Sequence, residues 1–168
     1  MKYTWTCRCC GQQFDELPLS FAPLAPDPWA GLTEQERATR GTIDSDLCVI
    51  DRQHFFVRGC LDIPIIDPPA TFVWGVWVSV TKQNFERIVA LWDAEIRASE
   101  PPMFGWLCND LGVYPTTFGL KTRVHLRDAG QRPLIELEPT DHPLAVEQRE
   151  GISLQRVEEI AAEALAGH

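Results

Sequence analysis

The chain has 168 residues, 45% of them apolar, and a formal net charge of −9. This length suits one domain with a sizeable core, and the apolar content, which includes six Trp and eight Phe, excludes a disordered chain. The negative charge argues against a general nucleic-acid binder, because phosphate contacts need clustered Lys and Arg. It suits a freely soluble protein, or one whose partner is basic.

The sequence pattern contains no membrane or export signal. The first residues, MKYTWTCRCC, hold no apolar run typical of a signal peptide. The longest apolar run, FVWGVWVSV (72–80), is too short to cross a bilayer. We therefore expect a cytoplasmic protein without a membrane partner, whose six cysteines stay reduced.

The first part of the chain is rich in proline. Four prolines between positions 18 and 28 predict a loop over 15–42, with a turn at Asp27-Pro28. Thr33 and Glu36 have the spacing of a capping box, which predicts a short helix in the same segment. No internal repeat divides the chain. We expect one domain over 1–168, made of a cysteine segment (1–14), the Pro-rich loop (15–42), a sheet (46–138) and C-terminal helices (143–166).

Strand signals dominate the middle of the chain. Aromatic and β-branched residues fill three segments, LCVI (47–50), HFFVRGCLDIPI (54–65) and TFVWGVWVSV (71–80). The third segment is apolar on both faces, which predicts a central strand that is covered on both sides. FGLKTRVHLR (118–127) alternates apolar and polar residues, and a turn at 128–131 joins it to RPLIELE (132–138) as an antiparallel hairpin.

Apolar spacing predicts two main helices. One covers 82–98 after the N-cap Thr81, and the other follows the N-cap Ser153. A shorter helix begins at Pro143, because proline suits the first helical turn. The packed face of the first helix is predicted to hold Phe85, Ile88, Val89, Trp92 and Ile96. We predict an α+β fold, a single domain with a mainly antiparallel sheet, one long amphipathic helix after the central strand and a C-terminal helix.

Several long phrases of the sequence resemble one bacterial family. They are CRCCG (7–11), DSDLCVID (44–51), FFVRGCLDIPI (55–65), FVWGVWVSVTKQNFER (72–87) and RPLIELEPTDHPLAVEQREGI (132–152). Together they are similar to the family catalogued as bacterial domain of unknown function number 2199, over nearly the whole chain. The resemblance implies a single-domain, soluble bacterial protein, and it brings no established activity with it.

The N-terminal phrase WTCRCCG has the spacing of half a zinc site. Two residues separate Cys7 from Cys10, as in a zinc knuckle, and Gly11 allows a tight turn after them. The family that the chain resembles opens with the same Cys-x-Cys-Cys-Gly element. We predict that Cys7 and Cys10 share one zinc ion, with Cys48, from the phrase DSDLCVID, as the third ligand. Other candidate ligands are Cys60, His54, His125 and His142.

Two other interpretations of these cysteines remain. Free cysteines behave as small apolar residues, so the cluster would then be part of a buried corner. A redox dithiol is disfavoured, because no βαβ pattern or helix N-terminus accompanies the motif.

TDHPLAVEQREG (140–151) is the second candidate for chemistry. Asp141 would orient His142, with Glu147 or Glu150 as a base. The sequence lacks a Gly-x-Ser-x-Gly elbow and a His-Glu-x-x-His pair. We therefore favour helix capping, with Asp141 as the N-cap and Pro143 as the first helical residue.

Arg58 and Gly59 interrupt an apolar strand. A glycine in a strand predicts a bulge or a close backbone approach, and Arg58 is a candidate anion ligand. A basic strand face would also contain Lys121, Arg123, His125, Arg127 and Arg132. We favour a solvated face with salt bridges, because Glu136 and Glu138 lie on the adjoining strand. Trp74 and Trp77 are predicted to be core residues.

Two functional hypotheses follow from the sequence. The first is a non-catalytic protein-binding domain with a structural zinc site, which engages an unidentified protein partner through its acidic surface or the 15–42 segment. The second is a metal-dependent, hydrolase-like enzyme with an open position on an ion held by Cys7, Cys10 and a further His or Cys. We favour the first, because the sequence shows no complete catalytic set and we assign no catalytic residue.

Overall fold

The structure, a computed structural model, describes residues 4–7, 11–128 and 130–166. In chain order the strands are β1 (Trp5–Thr6), β2 (Gln13–Phe14), β3 (Ser20–Phe21), β4 (Gly41–Ile43), β5 (Leu47–Ile50), β6 (His54–Ile65), β7 (Ala70–Val80), β8 (Met103–Leu107), β9 (Lys121–His125) and β10 (Leu134–Leu137). The helices are α1 (Asp27–Ala30), α2 (Glu34–Arg40), α3 (Lys82–Ala90), α4 (Pro143–Glu150) and α5 (Leu154–Ala166).

Five consecutive strands, β6 to β10, form a closed barrel. β6 and β7 pair antiparallel over their length, and β7, β8, β9 and β10 continue as antiparallel neighbours. β10 then pairs with β6 in parallel, with Leu134 opposite Cys60, so the last strand meets the first. Outside the barrel, β3 pairs parallel to β7, and β5 and β4 extend the sheet antiparallel beyond β6. β1 and β2 form a separate two-stranded sheet.

The predicted α+β fold class, a mainly antiparallel sheet with one long helix, is wrong. The strands close into a barrel that mixes parallel and antiparallel pairing. The part of the chain that the structure describes contains five helices, the longest of 13 residues at the C-terminal end. Closure joins the first and last barrel strands, which lie far apart in the sequence, so alternation within single strands could not predict it.

Several local predictions are confirmed. β9 and β10 form the expected hairpin, with Val124 opposite Ile135. The capping box at Thr33 begins α2, and the hydroxyl of Thr81 accepts a hydrogen bond from the backbone of Asn84 at the start of α3. α4 begins at Pro143. At Asp27-Pro28, where a turn was expected, the chain forms the four-residue helix α1.

Helix α3 is shorter than predicted, since it ends at Ala90 rather than at 98. The buried guanidinium of Arg97 donates to the carbonyl oxygens of Leu91 and Trp92, at 3.3 and 2.9 Å. These bonds satisfy carbonyls at the helix C-terminus and replace another helical turn. As a result Ile96, predicted on the packed face, is 79% exposed. Val89, within the helix, was predicted on the same face and is 45% exposed.

Apolar side chains pack on both sides of β7. Trp74, Val76 and Val78 point into the barrel and belong to the main core. Trp77 points outward and is 0% exposed, because it packs in a second cluster. That outer cluster consists of Trp29, Cys48, Ile50, Phe56, Trp77 and Cys108. The prediction that this strand is covered on both faces, with both tryptophans in cores, is confirmed.

Gly59 allows β6 and β10 to approach closely enough to close the barrel. The N–H of Cys60 donates to the carbonyl oxygen of Pro133 at 2.8 Å. A Cβ atom at position 59 would lie 2.6 Å from Cδ1 of Ile135, which is fully buried, and 2.9 Å from the Pro133 oxygen. The close backbone approach predicted for this glycine is confirmed.

The change Gly59→Ala should therefore destabilise the barrel. Because the added methyl group overlaps a buried side chain and a backbone oxygen, we expect a loss of about 1–3 kcal/mol in the free energy of unfolding. The measurement is urea denaturation followed by circular dichroism. Gly112→Ala is the control, since nothing lies within 4 Å of its Cβ position. Equal stability of the two variants would contradict the tight closure.

Candidate functional site

A row of side chains on the outer face of three strands forms the base of a cleft. Phe56 on β6 lies opposite Ser79 on β7, and Ser79 lies opposite Trp106 on β8. All three point away from the barrel interior. Because the small serine stands between two large aromatic rings, the row leaves a depression at its centre.

This depression is an open cleft of about 470 Å³, within the size range of ligand-binding sites. Its lining is mostly apolar and comes from five stretches of the chain. The lining residues are Pro28, Leu32, Arg40, Ile50, Asp51, His54, Phe56, Ser79, Trp106, Cys108, Phe118 and Gly119. This lining suits a ligand that places an apolar group in the cleft and has polar groups on either side of it.

Hydrogen bonds from buried groups hold the Pro-rich segment against the barrel beside the cleft. The indole N–H of Trp77 donates to the carbonyl oxygen of Pro23 at 3.2 Å. The fully buried side chain of Asn109 accepts from the backbone N–H of Trp77 at 2.8 Å and donates to the Ala25 carbonyl at 2.9 Å. The backbone N–H of Asp27 donates to the Cys108 carbonyl at 2.8 Å. These bonds position α1 and its neighbours as one wall.

An ion pair forms part of the cleft rim. The guanidinium of Arg40, at the end of α2, donates to both carboxylate oxygens of Asp51, at 2.9 and 2.7 Å. These bonds hold the pKa of Asp51 below its ordinary value. Asp51 and Arg52 form the turn between β5 and β6 with φ values of 55° and 56°, an unfavourable backbone region for arginine. Arg40 therefore ties α2 to this turn.

The thiol of Cys108 lies at the bottom of the cleft and is poorly suited to nucleophilic chemistry. It is 5% exposed and donates to the carbonyl oxygen of Trp106 at 3.4 Å. Burial raises the pKa of the Cys108 thiol, although hydrogen bonding with Ser79 opposes that shift. Since the thiolate is the reactive form, a raised pKa keeps this group inert at neutral pH.

Exposed aromatic rings extend the apolar surface beyond the cleft. Phe104 and Trp106 project from the outer face of β8 with their ring centroids 5.0 Å apart, and they are 43% and 45% exposed. Phe118 follows the β8 strand in a loop and is 45% exposed. We call Phe104, Trp106 and Phe118 the aromatic shelf. Exposed rings at this density mark surfaces that bind other molecules.

The structure describes only two of the three predicted zinc ligands. Cys7 is buried in the barrel core and Cys48 in the outer cluster, so the two thiols belong to different clusters. Cys10 lies outside the described residues. Within the described residues, no group of three or more His, Cys, Asp or Glu side chains could hold a metal ion. Burial, followed by the charge of Asp44, raises the pKa of Cys48 to about 12, which opposes thiolate formation there.

His142 serves as the N-cap of α4. Nδ1 of His142 accepts from the backbone N–H of Leu144 at 3.1 Å, and Nε2 lies 3.2 Å from the Pro115 carbonyl oxygen. The N-cap of α4 is therefore His142, and the prediction of Asp141 was wrong by one residue. Glu147 accepts hydrogen bonds from the hydroxyl of Tyr114 and from Arg156. Both ring nitrogens and this carboxylate already have structural partners.

The basic face is neutralised less than predicted, because Glu136 makes one cross-strand contact and no ion pair of Glu138 is seen among the described residues. Glu136 contacts His125 at 3.2 Å across the β9–β10 hairpin, and Arg132 pairs with Asp46 at 2.7 Å. Arg58 donates to the backbone oxygen of Ser45 at 3.3 Å.

The sequence pattern predicts neither β8 nor the cleft. MFGWL (103–107) alternates buried and exposed residues, so its aromatic side chains are the exposed ones. The available signal was that Phe104 and Trp106 occupy alternate positions of the strand, on the face where polar residues are usual. Its five residues, between two loops, were too short to stand out.

Comparison with known proteins identifies a family. The family model described as "Uncharacterized protein conserved in bacteria (DUF2199)" matches residues 6–152, nearly the whole chain. No curated protein and no solved structure gives a significant match. Among the described residues, none of the helices combines the length and apolar character needed to cross a membrane.

In the metal-free protein, stability should fall at alkaline pH in a way that depends on Cys48. The folded state keeps this thiol protonated up to a pKa of about 12, whereas the unfolded chain loses the proton near 9.0. The unfolded state then binds fewer protons, so stability is full below pH 9 and declines as the pH rises toward 12. Urea denaturation between pH 8 and 10.5 should show a shallower decline for Cys48→Ala than for the half-exposed control Cys60→Ala. If the free energy of unfolding declines equally with pH in both variants, the Cys48 thiol is not the cause of the decline.

The zinc prediction for Cys7, Cys10 and Cys48 has a direct test. Elemental analysis of the freshly purified, reduced protein should find one zinc ion per chain, which Cys7→Ser and Cys10→Ser remove and Cys9→Ser does not. Cys48→Ser tests the third ligand separately. A zinc-free protein whose melting temperature ignores a chelator would contradict the prediction.

Proposed function

The chain belongs to this bacterial family, and we propose that it is a non-catalytic protein-binding domain whose outer cleft receives an apolar side chain of a partner protein. The observation that carries the proposal is the continuous apolar surface formed by the cleft and the aromatic shelf. Aromatic side chains contribute much of the binding energy at protein interfaces. Three exposed aromatic rings lower the solubility of a protein unless a partner covers them.

The shape of this surface favours a peptide segment over a small molecule. Small-molecule sites bury most of their ligand in a concave pocket. Here the cleft is open, and Trp106 belongs both to the cleft wall and to the shelf that leads away from it. A chain segment can place one side chain in the cleft and cover the shelf with the next residues.

The candidate catalytic groups support a binding role. The pKa of the Cys108 thiol is raised, and the ring nitrogens of His142 serve as helix cap and loop contact. Glu147 is occupied by Tyr114 and Arg156. The metal-dependent enzyme hypothesis therefore gains no support from these groups.

The proposal places the protein in the cytoplasm. Cys48, Cys60 and Cys108 are free thiols, which suits a reducing compartment.

Filling the cleft, or removing part of the aromatic shelf, should weaken peptide binding while leaving the fold intact. Ser79→Leu places a larger side chain between Phe56 and Trp106, and Phe118→Ser removes part of the shelf. Peptides selected from a random display library on the wild-type protein should bind each variant at least about ten-fold more weakly. The measurement is fluorescence anisotropy with synthetic peptides.

Ile96→Ser is the matched control, because Ile96 is an exposed apolar residue outside the cleft lining and the shelf. Its peptide affinity should equal that of the wild type. Failure to enrich any peptide with an aromatic or aliphatic anchor, or equal affinities for all three variants, would rule out the proposed function.

A further inference from the structure

Two cationic side chains stand beside the aromatic shelf. On the outer face of β9, Lys121 lies opposite Trp106 and Arg123 lies opposite Phe104. Both cations are exposed, as are both rings. In directly opposed positions of antiparallel strands, Cβ atoms are about 5 Å apart, so each cation borders a ring.

Neither cation has an ion-pair partner within the part of the chain that the structure describes. Glu136 lies opposite Arg123, but its carboxylate contacts His125 instead. Three other exposed cations, Arg40, Arg87 and Arg132, each pair with a carboxylate at 2.7–2.8 Å. Although the chain has 24 acidic residues, these two positive charges lie beside the aromatic shelf without an ion pair among the described residues.

We propose that the partner segment carries acidic residues next to its apolar anchor, and that their carboxylates pair with Lys121 and Arg123. This inference rests on the proposed peptide-binding function and adds the charge pattern of the ligand. The anchor enters the cleft beside Trp106, and the acidic residues follow along β9.

Strand geometry sets the spacing of the acidic residues. Lys121 and Arg123 are two residues apart on one strand, so their Cα atoms are separated by about 6.8 Å. Side chains at positions i and i+2 of an extended peptide have the same separation and point to the same side. The geometry therefore favours an extended segment with Asp or Glu at two positions separated by one residue.

An acidic peptide fits this surface better than a nucleic acid does. Two cations neutralise two carboxylates, whereas a nucleic-acid strand adds a phosphate at every nucleotide and meets the field of a chain with net charge −9. Exposed rings next to cations do resemble a base-stacking platform, so the test includes an oligonucleotide.

The experiment uses the full chain and three labelled probes. The first is the consensus peptide from the display selection, the second is the same peptide with Asp→Asn and Glu→Gln changes, and the third is a single-stranded oligothymidine. Anisotropy titrations compare the wild type with the double variant Lys121→Gln, Arg123→Gln. The control is Lys82→Gln, which removes an exposed positive charge from the start of α3.

We expect the consensus to contain an apolar anchor and two acidic residues in i, i+2 spacing. The dissociation constant of the acidic consensus peptide should be roughly 5- to 20-fold higher for the double variant than for the wild type. The wild type should lose affinity to a similar extent when the peptide carries amides instead of carboxylates, and when the salt concentration is high. The Lys82→Gln variant should bind the acidic peptide as tightly as the wild type does. Anchored peptides without acidic residues, whose affinity ignores the double variant, would overturn this inference and leave the proposed function standing. Binding of oligothymidine but of no peptide would overturn both.

Discussion

The parallel contact between β6 and β10 is the constraint on which the rest of the structure depends. It exists because Gly59 presents no side chain to Ile135 and Pro133. Closure gives the barrel an interior, where fully buried side chains such as Phe72 and Ile135 pack without contact with water. It also curves the sheet, so that the outer faces of β6, β7 and β8 lie side by side as the base of the cleft.

Buried hydrogen bonds connect that barrel to the segments around it. On one side the indole of Trp74 donates to the hydroxyl of Tyr114 at 3.1 Å, and Tyr114 donates to Glu147 of α4 at 2.7 Å. On the other side Asn109 and Trp77 hold the Pro-rich segment. Polar groups in such positions are costly to leave unpaired, so these links favour one arrangement of the cleft walls. A cleft that is already formed loses less entropy when a ligand binds.

Net charge and local charge lead to different expectations for the partner. The total of −9 suggests a basic partner, and it sets the field felt at a distance. Lys121 and Arg123, in contrast, act within a few ångströms of the shelf, and the carboxylate of Glu136, opposite Arg123, contacts His125 instead. Once a partner segment is in contact, ion pairs over a few ångströms determine which of its side chains bind favourably. Lys121 and Arg123 therefore indicate the charge of the bound segment better than the net charge does.

Local patterns in the sequence determined the β9–β10 hairpin, the caps at Thr33 and Thr81, the doubly covered strand β7 and the close approach at Gly59. Each depends on residues near one another in the chain, or on the missing Cβ of one glycine. Only the tertiary structure decided the closure of the barrel, the early end of α3 and the cleft. Those features depend on the pairing of β6 with β10, on the bond from Arg97 to the distant carbonyl of Gln131, and on a row of three side chains that meet across β6, β7 and β8. Contacts between distant residues form only when the strands pair, because strand register sets which side chains become neighbours.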